Sequence, residues 1–161
     1  MSSVPGRVYD LLCFEIINSI IGENWKDVLE YKDKDGIQKI ESLGFSVGYR
    51  WAEMQKIRNP AWNSLSEVMK DVCINFWVEV FGSECESMHT DNSNIFVISS
   101  KTLRPLSKIR KQQHSEDRLR LYALLYKGML DGILSLSGFR ATTSFRKNRN
   151  SGDFEFIVTA L

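Results

Sequence analysis

The amino-acid sequence predicts an α+β fold, with about four helices packed on one face of a four-stranded antiparallel sheet. Three observations carry this prediction. Apolar residues recur at steps of three and four in four separate segments, as on an amphipathic helix. Short runs such as Ile95-Phe96-Val97-Ile98 have the β-branched and aromatic composition of strands. The two kinds of segment come in blocks without regular strand–helix alternation, which argues against a doubly wound parallel sheet.

The elements follow in order. Val8, Leu11, Leu12, Ile16, Ile17 and Ile20 mark a first helix over residues 8–21, and the polar stretch 24–35 reads as a loop ending at Gly36. Ile37, Ile40, Leu43, Val47, Trp51 and Met54 mark a second helix. Asn59-Pro60 stops it, because proline disfavours a helical residue before it and lacks a donor. Ser64 and Glu67 form a capping pattern for a third helix, whose apolar positions from Leu65 to Phe81 predict burial on most sides. Gly82 ends it. After a polar stretch comes the strand 95–98, with Leu103 and Leu106 assigned to a short antiparallel partner and 107–117 to a charged loop. A fourth helix runs over 119–136 and closes at Gly138. Strands at 139–145 and 154–158 follow, joined by the turn 147–152. Phe154, Phe156 and Val158 alternate with Glu155 and Ile157, so one sheet face is predicted packed and the other mostly wet.

Composition bounds the rest. The 161 residues are 43% apolar and 25% charged, with 3 prolines and no linker-like stretch. One domain over residues 1–161 is expected, and a chain of this size hides roughly 70% of its extended surface on folding. The net charge of +1 hides an uneven distribution: residues 1–100 carry −6 and residues 101–149 carry +9. A basic half can meet nucleic acid, a membrane surface or an acidic protein. No nucleic-acid motif accompanies it, so a complementary protein partner is expected, with the stretch 101–120 as a weak peripheral membrane contact. Cys13, Cys73 and Cys85 lack the spacing of a disulfide framework or zinc site. No leader or bilayer-spanning apolar run is visible, so a cytosolic protein is expected.

No motif carries recognisable chemistry. Gly44-Phe45-Ser46-Val47-Gly48 matches the letters of a nucleophile elbow, but that motif needs a strand-to-helix turn and Ser46 falls inside a predicted helix. Gly44/Gly48 and Gly128/Gly132 are spaced four apart, although an interior helical glycine costs about 1 kcal/mol relative to alanine. Two such pairs imply close approach of another backbone or a bulky side chain, either within the monomer or across a subunit interface. His89 and His114 stand alone, and Cys73 reads as a small core hydrophobe. Catalytic, metal and cofactor residues are therefore expected to be none.

Several blocks together resemble the small Bet-three-like subunits of the transport protein particle (TRAPP), and most of all the subunit-six class. They are Tyr9-Asp10-Leu11-Leu12, the run Ile40 to Gly48 with its Leu-Gly-Phe-x-Val-Gly pattern, Phe76-Trp77-Val78-Glu79-Val80-Phe81-Gly82, Thr90 to Ile98, and Gly128 to Leu134 followed by Gly138. The resemblance implies an α/β-plait domain and a non-enzymatic scaffold subunit of a vesicle-transport complex that supports nucleotide exchange on Rab-type GTPases. It further implies a heterodimer with a Bet-three-like subunit, contacts to other TRAPP subunits, a homodimer as the alternative in isolation, and a cytoplasmic location at Golgi and ER–Golgi membranes. The Bet-three-like partner carries an acylated cysteine before its third helix. Trp62 aligns there, so no equivalent acylation is expected. Asp131 departs from the basic residue that relatives often carry between the glycines.

A standard interface buries roughly 1,600 Å², which two helices per partner can supply. The residues expected to form it are Leu12, Ile16, Ile20, Ile40, Val47 and Trp51, with core placement as the competing assignment for each. The alternative function is a small-molecule or lipid-binding module with an apolar pocket lined by Phe45, Phe76, Trp77 and Phe81.

Overall fold

The computed structural model describes residues 12, 15–20, 34–58, 62–82, 84–91, 94–100 and 115–161. Helical residues 15–20 (α1) precede α2 (Lys34–Arg58) and α3 (Leu65–Asp71), which continues through a π-helical turn (Val72–Phe76) into α4 (Trp77–Phe81). Strands β1 (Ser87–Thr90) and β2 (Ile95–Ser100) follow, then α5 (Ser115–Ser137), β3 (Ala141–Lys147) and β4 (Phe154–Ala160). The sheet order is β1-β2-β4-β3 and every pairing is antiparallel, as the α+β reading requires.

Local chemistry sets the helix limits. α2 starts at Lys34, so the end of the predicted loop is already helical, and it stops at Arg58 just before Asn59-Pro60. Asp35 in its first turn and Lys56 and Arg58 in its last complement the helix dipole. Ser64, in extended conformation, accepts the Glu67 N–H at 3.2 Å and caps α3. Glu67 reaches back to the N–H of Asn63, at 2.7 Å, one residue earlier than in a strict capping box. Gly82 and Gly138 close their helices in the left-handed conformation, with φ of 79° and 83°.

The two glycine pairs meet each other. A β-carbon on Gly44 or Gly48 would overlap the backbone carbonyl of Leu125 or Met129, and one on Gly128 or Gly132 would overlap that of Glu41 or Phe45. α2 and α5 therefore lie backbone against backbone and run in the same direction. The sequence left open whether these glycines serve the monomer or an interface; they pack the monomer. Lys127 clamps the seam, its ammonium 3.1 Å from Glu41 of α2 and 2.9 Å from Asp131. The atypical acid between the glycines is thus one arm of an ion-pair network. At the far end, Lys56 Nζ donates to the Leu136 carbonyl at 2.7 Å and caps α5 from outside.

The core lies between helices and sheet. Trp77 meets Phe156 edge-on at 5.8 Å, and Phe81 meets Tyr126 at 4.6 Å. In the π-helical turn the Trp77 N–H bonds to the Val72 carbonyl, five residues back. That offset buries both Phe76 and Trp77 and leaves Ile74 and Val78 exposed, so the third helix is buried on fewer sides than its composition predicts.

Two strand assignments change. The hairpin partner of β2 is β1, in what reads as a polar stretch, and Leu103 and Leu106 lie outside the described residues. Only four residues long and polar, β1 lacks a strand signature. Glu155 is buried on the sheet face expected to be wet, where Arg146 (2.6 Å) and Asn148 (2.8 Å) hold its carboxylate. A central strand has neighbours on both sides, which suffices to cover a paired carboxylate.

Candidate partner-docking face

α2 presents one side to α5 and turns the other outward. Val47, Met54 and Ile57 line up along that outer side at helical spacing, with Ile57 84% exposed. The π-helical turn and α4 also expose Ile74 and Val78, outside this strip. Between α2 and α4 lies an open groove of about 450 Å³, floored by Val47, Trp51, Met54, Phe76 and Val80, with Arg50 and Glu79 as its charged members. A second groove continues past Met54 and Ile57 to Leu136.

The floor is rigid. The Trp51 indole N–H donates to Glu79 Oε2 at 2.7 Å, bridging α2 to α4. The Trp51 ring meets Phe76 edge-on at 5.1 Å and stacks on Trp62 at 6.5 Å, while Trp62 Nε1 donates to Asp71 at 3.1 Å. These contacts and the glycine seam hold both walls, so the exposed apolar strip is a preformed surface.

Of the six residues expected to face a partner, Leu12 is 54% exposed, Val47 39% exposed, and Ile16 and Ile20 half-buried. Ile40 and Trp51 are core residues, at 0% and 5% exposure, and are corrected accordingly. Helical spacing puts both on the same apolar stripe as Val47 and Met54, but the fold covers these two positions and leaves those two exposed. The surface includes Met54 and Ile57 instead. Met54 had the spacing signal and Ile57 continues it three residues on; only the fold shows them uncovered.

The remaining candidates resolve into structural roles. Ser46 Oγ donates to the Ser42 carbonyl at 3.0 Å within α2, with no strand-to-helix turn. The Cys73 thiol is buried, 3.7 Å from Met88 Sδ, and burial pushes its pKa far up. Burial raises Cys85 as well. His89 is exposed on β1, whereas Cys13 and His114 lie outside the described residues. Phe76, Trp77 and Phe81 pack ring to ring, and Phe45 sits outside on α2 against Tyr49 at 6.0 Å. Among the described residues no His/Cys/Asp/Glu group could hold a metal ion, and no helix is long and apolar enough to cross a membrane.

The family model described as Transport protein particle (TRAPP) component matches residues 9–159. The chain belongs to this TRAPP family. It is 24% identical over 134 residues to trafficking protein particle complex subunit 6b of Danio rerio, covering 83% of each chain. It is 23% identical over 126 residues to subunit 6B of Homo sapiens, covering 77% of this chain and 80% of that one. Subunit 6A of Homo sapiens is 24% identical over 140 residues, covering 84% and 87%. Subunit 3 from Naegleria fowleri, solved covalently bound to palmitic acid, superposes with a TM-score of 0.67 at 13% identity, over 97% of this chain and 92% of that one. That likeness shows the shared TRAPP small-subunit fold. The matched family model and these relatives mark the chain as a TRAPP component.

Proposed function

We propose that this TRAPP subunit is a non-catalytic scaffold whose helical face docks a Bet-three-like subunit as a heterodimer. It supports nucleotide exchange on a Rab-type GTPase by holding the complex together, on the cytoplasmic side of Golgi membranes. The observation that carries the reading is the exposed apolar strip of α2 beside the groove it forms with α4. Burying such side chains against another chain gains about 25 cal/mol per Å² of apolar surface, and leaving them wet forgoes it. Leu12, Ile16, Ile20 and Val47 are the expected contacts that remain, joined by Met54 and Ile57.

The test is co-expression of the full chain with a Bet-three-like subunit, followed by sedimentation. Val47→Glu and Met54→Glu should each leave a folded protein and weaken the heterodimer about 30-fold, as for a central contact worth about 2 kcal/mol. Undiminished affinity in both variants rules the face out. Ile16→Glu tests the α1 contribution in the same assay.

The lipid-binding reading draws support from the palmitate of the Naegleria relative. Against it, Trp62 offers no thiol at the aligned position, and of the aromatic side chains expected to line a pocket Phe76, Trp77 and Phe81 pack ring to ring. Native mass spectrometry separates the two: retained lipid supports the pocket, and a lipid-free heterodimer supports the scaffold.

A further inference from the structure

Strand β3 forms one edge of the sheet. Two bonds beyond its ends define the ladder. Leu161 N–H donates to the Arg140 carbonyl at 3.0 Å, and Asn148 N–H donates to the Asp153 carbonyl at 2.8 Å. With the register running from Ala141↔Ala160 to Lys147↔Phe154, even-numbered residues bond to β4 and odd-numbered residues turn their backbone groups outward. Ala141, Thr143 and Phe145 therefore present three successive N–H and C=O pairs to the open side, where no strand lies among the described residues. Such an edge is a template for strand addition.

Charge selects the occupant. Residues 138–152 contain Arg140, Arg146, Lys147 and Arg149 and no acidic residue. Glu155 pairs with Arg146, while Arg140 and Arg149 stand exposed beyond the two ends of the strand. A second copy of this edge is a poor partner: an antiparallel β3–β3 pair centred on Thr143 sets Arg140 opposite Arg146, and like charges directly opposed are destabilising. An anionic membrane would meet the charge but offers no ladder to the outward backbone groups. We propose that the free edge of β3 binds an extended acidic segment of another protein by strand addition, its carboxylates lying near Arg140 and Arg149. This surface shares no residue with the α2 groove, so it adds a second attachment point to the scaffold.

The test uses the full chain and two blocked seven-residue peptides, one alternating valine with glutamate and the other valine with lysine. Amide hydrogen exchange is read by NMR. The glutamate peptide should slow exchange at Ala141, Thr143 and Phe145 about tenfold at saturation, and added salt should reverse it. The lysine peptide should leave those amides unchanged. Arg140→Glu combined with Arg149→Glu should exchange the two preferences. Ala141→Pro, which removes an outward donor and no bond to β4, should weaken the glutamate peptide. Absent protection, equal protection by both peptides, or an unaltered preference in the charge-reversed variant would overturn the proposal. So would phosphatidylserine vesicles protecting the edge when the glutamate peptide does not.

Discussion

A β-carbon on Gly44 would lie 3.1 Å from the Cα of Gly128, so the two helices that carry these residues touch through their main chains. Side chains of ordinary size would push α2 away from α5 and tilt the outer face of α2 relative to α4. The docking groove thus depends on glycines that never reach it.

Gly48→Ala tests this dependence. On an open helix face the substitution would stabilise by about 1 kcal/mol. Here the added methyl overlaps the Met129 carbonyl, so we expect destabilisation of about 2 kcal/mol or more, read as a lower urea midpoint. An unchanged or raised midpoint would show that the helices separate at little cost.

Lys127 joins Glu41 and Asp131 across the same seam. Burial draws its pKa down, but hydrogen bonds and charge from Asp131 and Glu41 outweigh this and hold it above the ordinary lysine value. All three side chains are partly exposed, so solvent screens the network. Lys127→Met should cost about 1 kcal/mol, and a double-mutant cycle with Glu41→Gln should recover part of it. Additive effects would remove the coupling.

Hydrogen bonds from Asn148 and then Arg146, opposed by burial, hold the Glu155 carboxyl below the usual glutamate pKa. A depressed folded pKa stabilises the native state fully above the unfolded value, about 4.3, and the gain fades as pH falls through the folded value. Glu155→Gln should therefore lower Tm at neutral pH and converge with the parent as the pH drops below about 4. Parallel Tm curves across that range would contradict the assignment.

Burial keeps the Cys73 and Cys85 thiols protonated beyond the normal cysteine range. Iodoacetamide at pH 8 should modify both slowly in the native protein and rapidly in urea, because the thiolate is the nucleophile. Mass spectrometry of digested samples reads each site. Fast native labelling of Cys73 would place it at the surface.

Much of this architecture is legible in local chemistry. The proline after Arg58, the Ser64 cap and the closing glycines act on their immediate neighbours, so their effect can be read from spacing alone. The apolar stripe of α2 is equally visible, yet Ile40 and Trp51 on it proved to be core. Periodicity reports which residues avoid water and is silent on what covers them. β1 was missed because a short polar strand is held by its neighbour's ladder and has no pattern of its own.

The sequence by itself determined the α+β class, the order of helices and hairpins, where the helices stop, the emptiness of the nucleophile motif and the resemblance to TRAPP subunits. These follow from contacts a few residues apart or from residue patterns in order. The tertiary structure alone decided that the glycine pairs face each other, that Ile57 and Ile74 are left uncovered, and that β3 is an open edge. Each of those depends on which distant segment arrives at a given face, a long-range choice made by packing the whole chain at once.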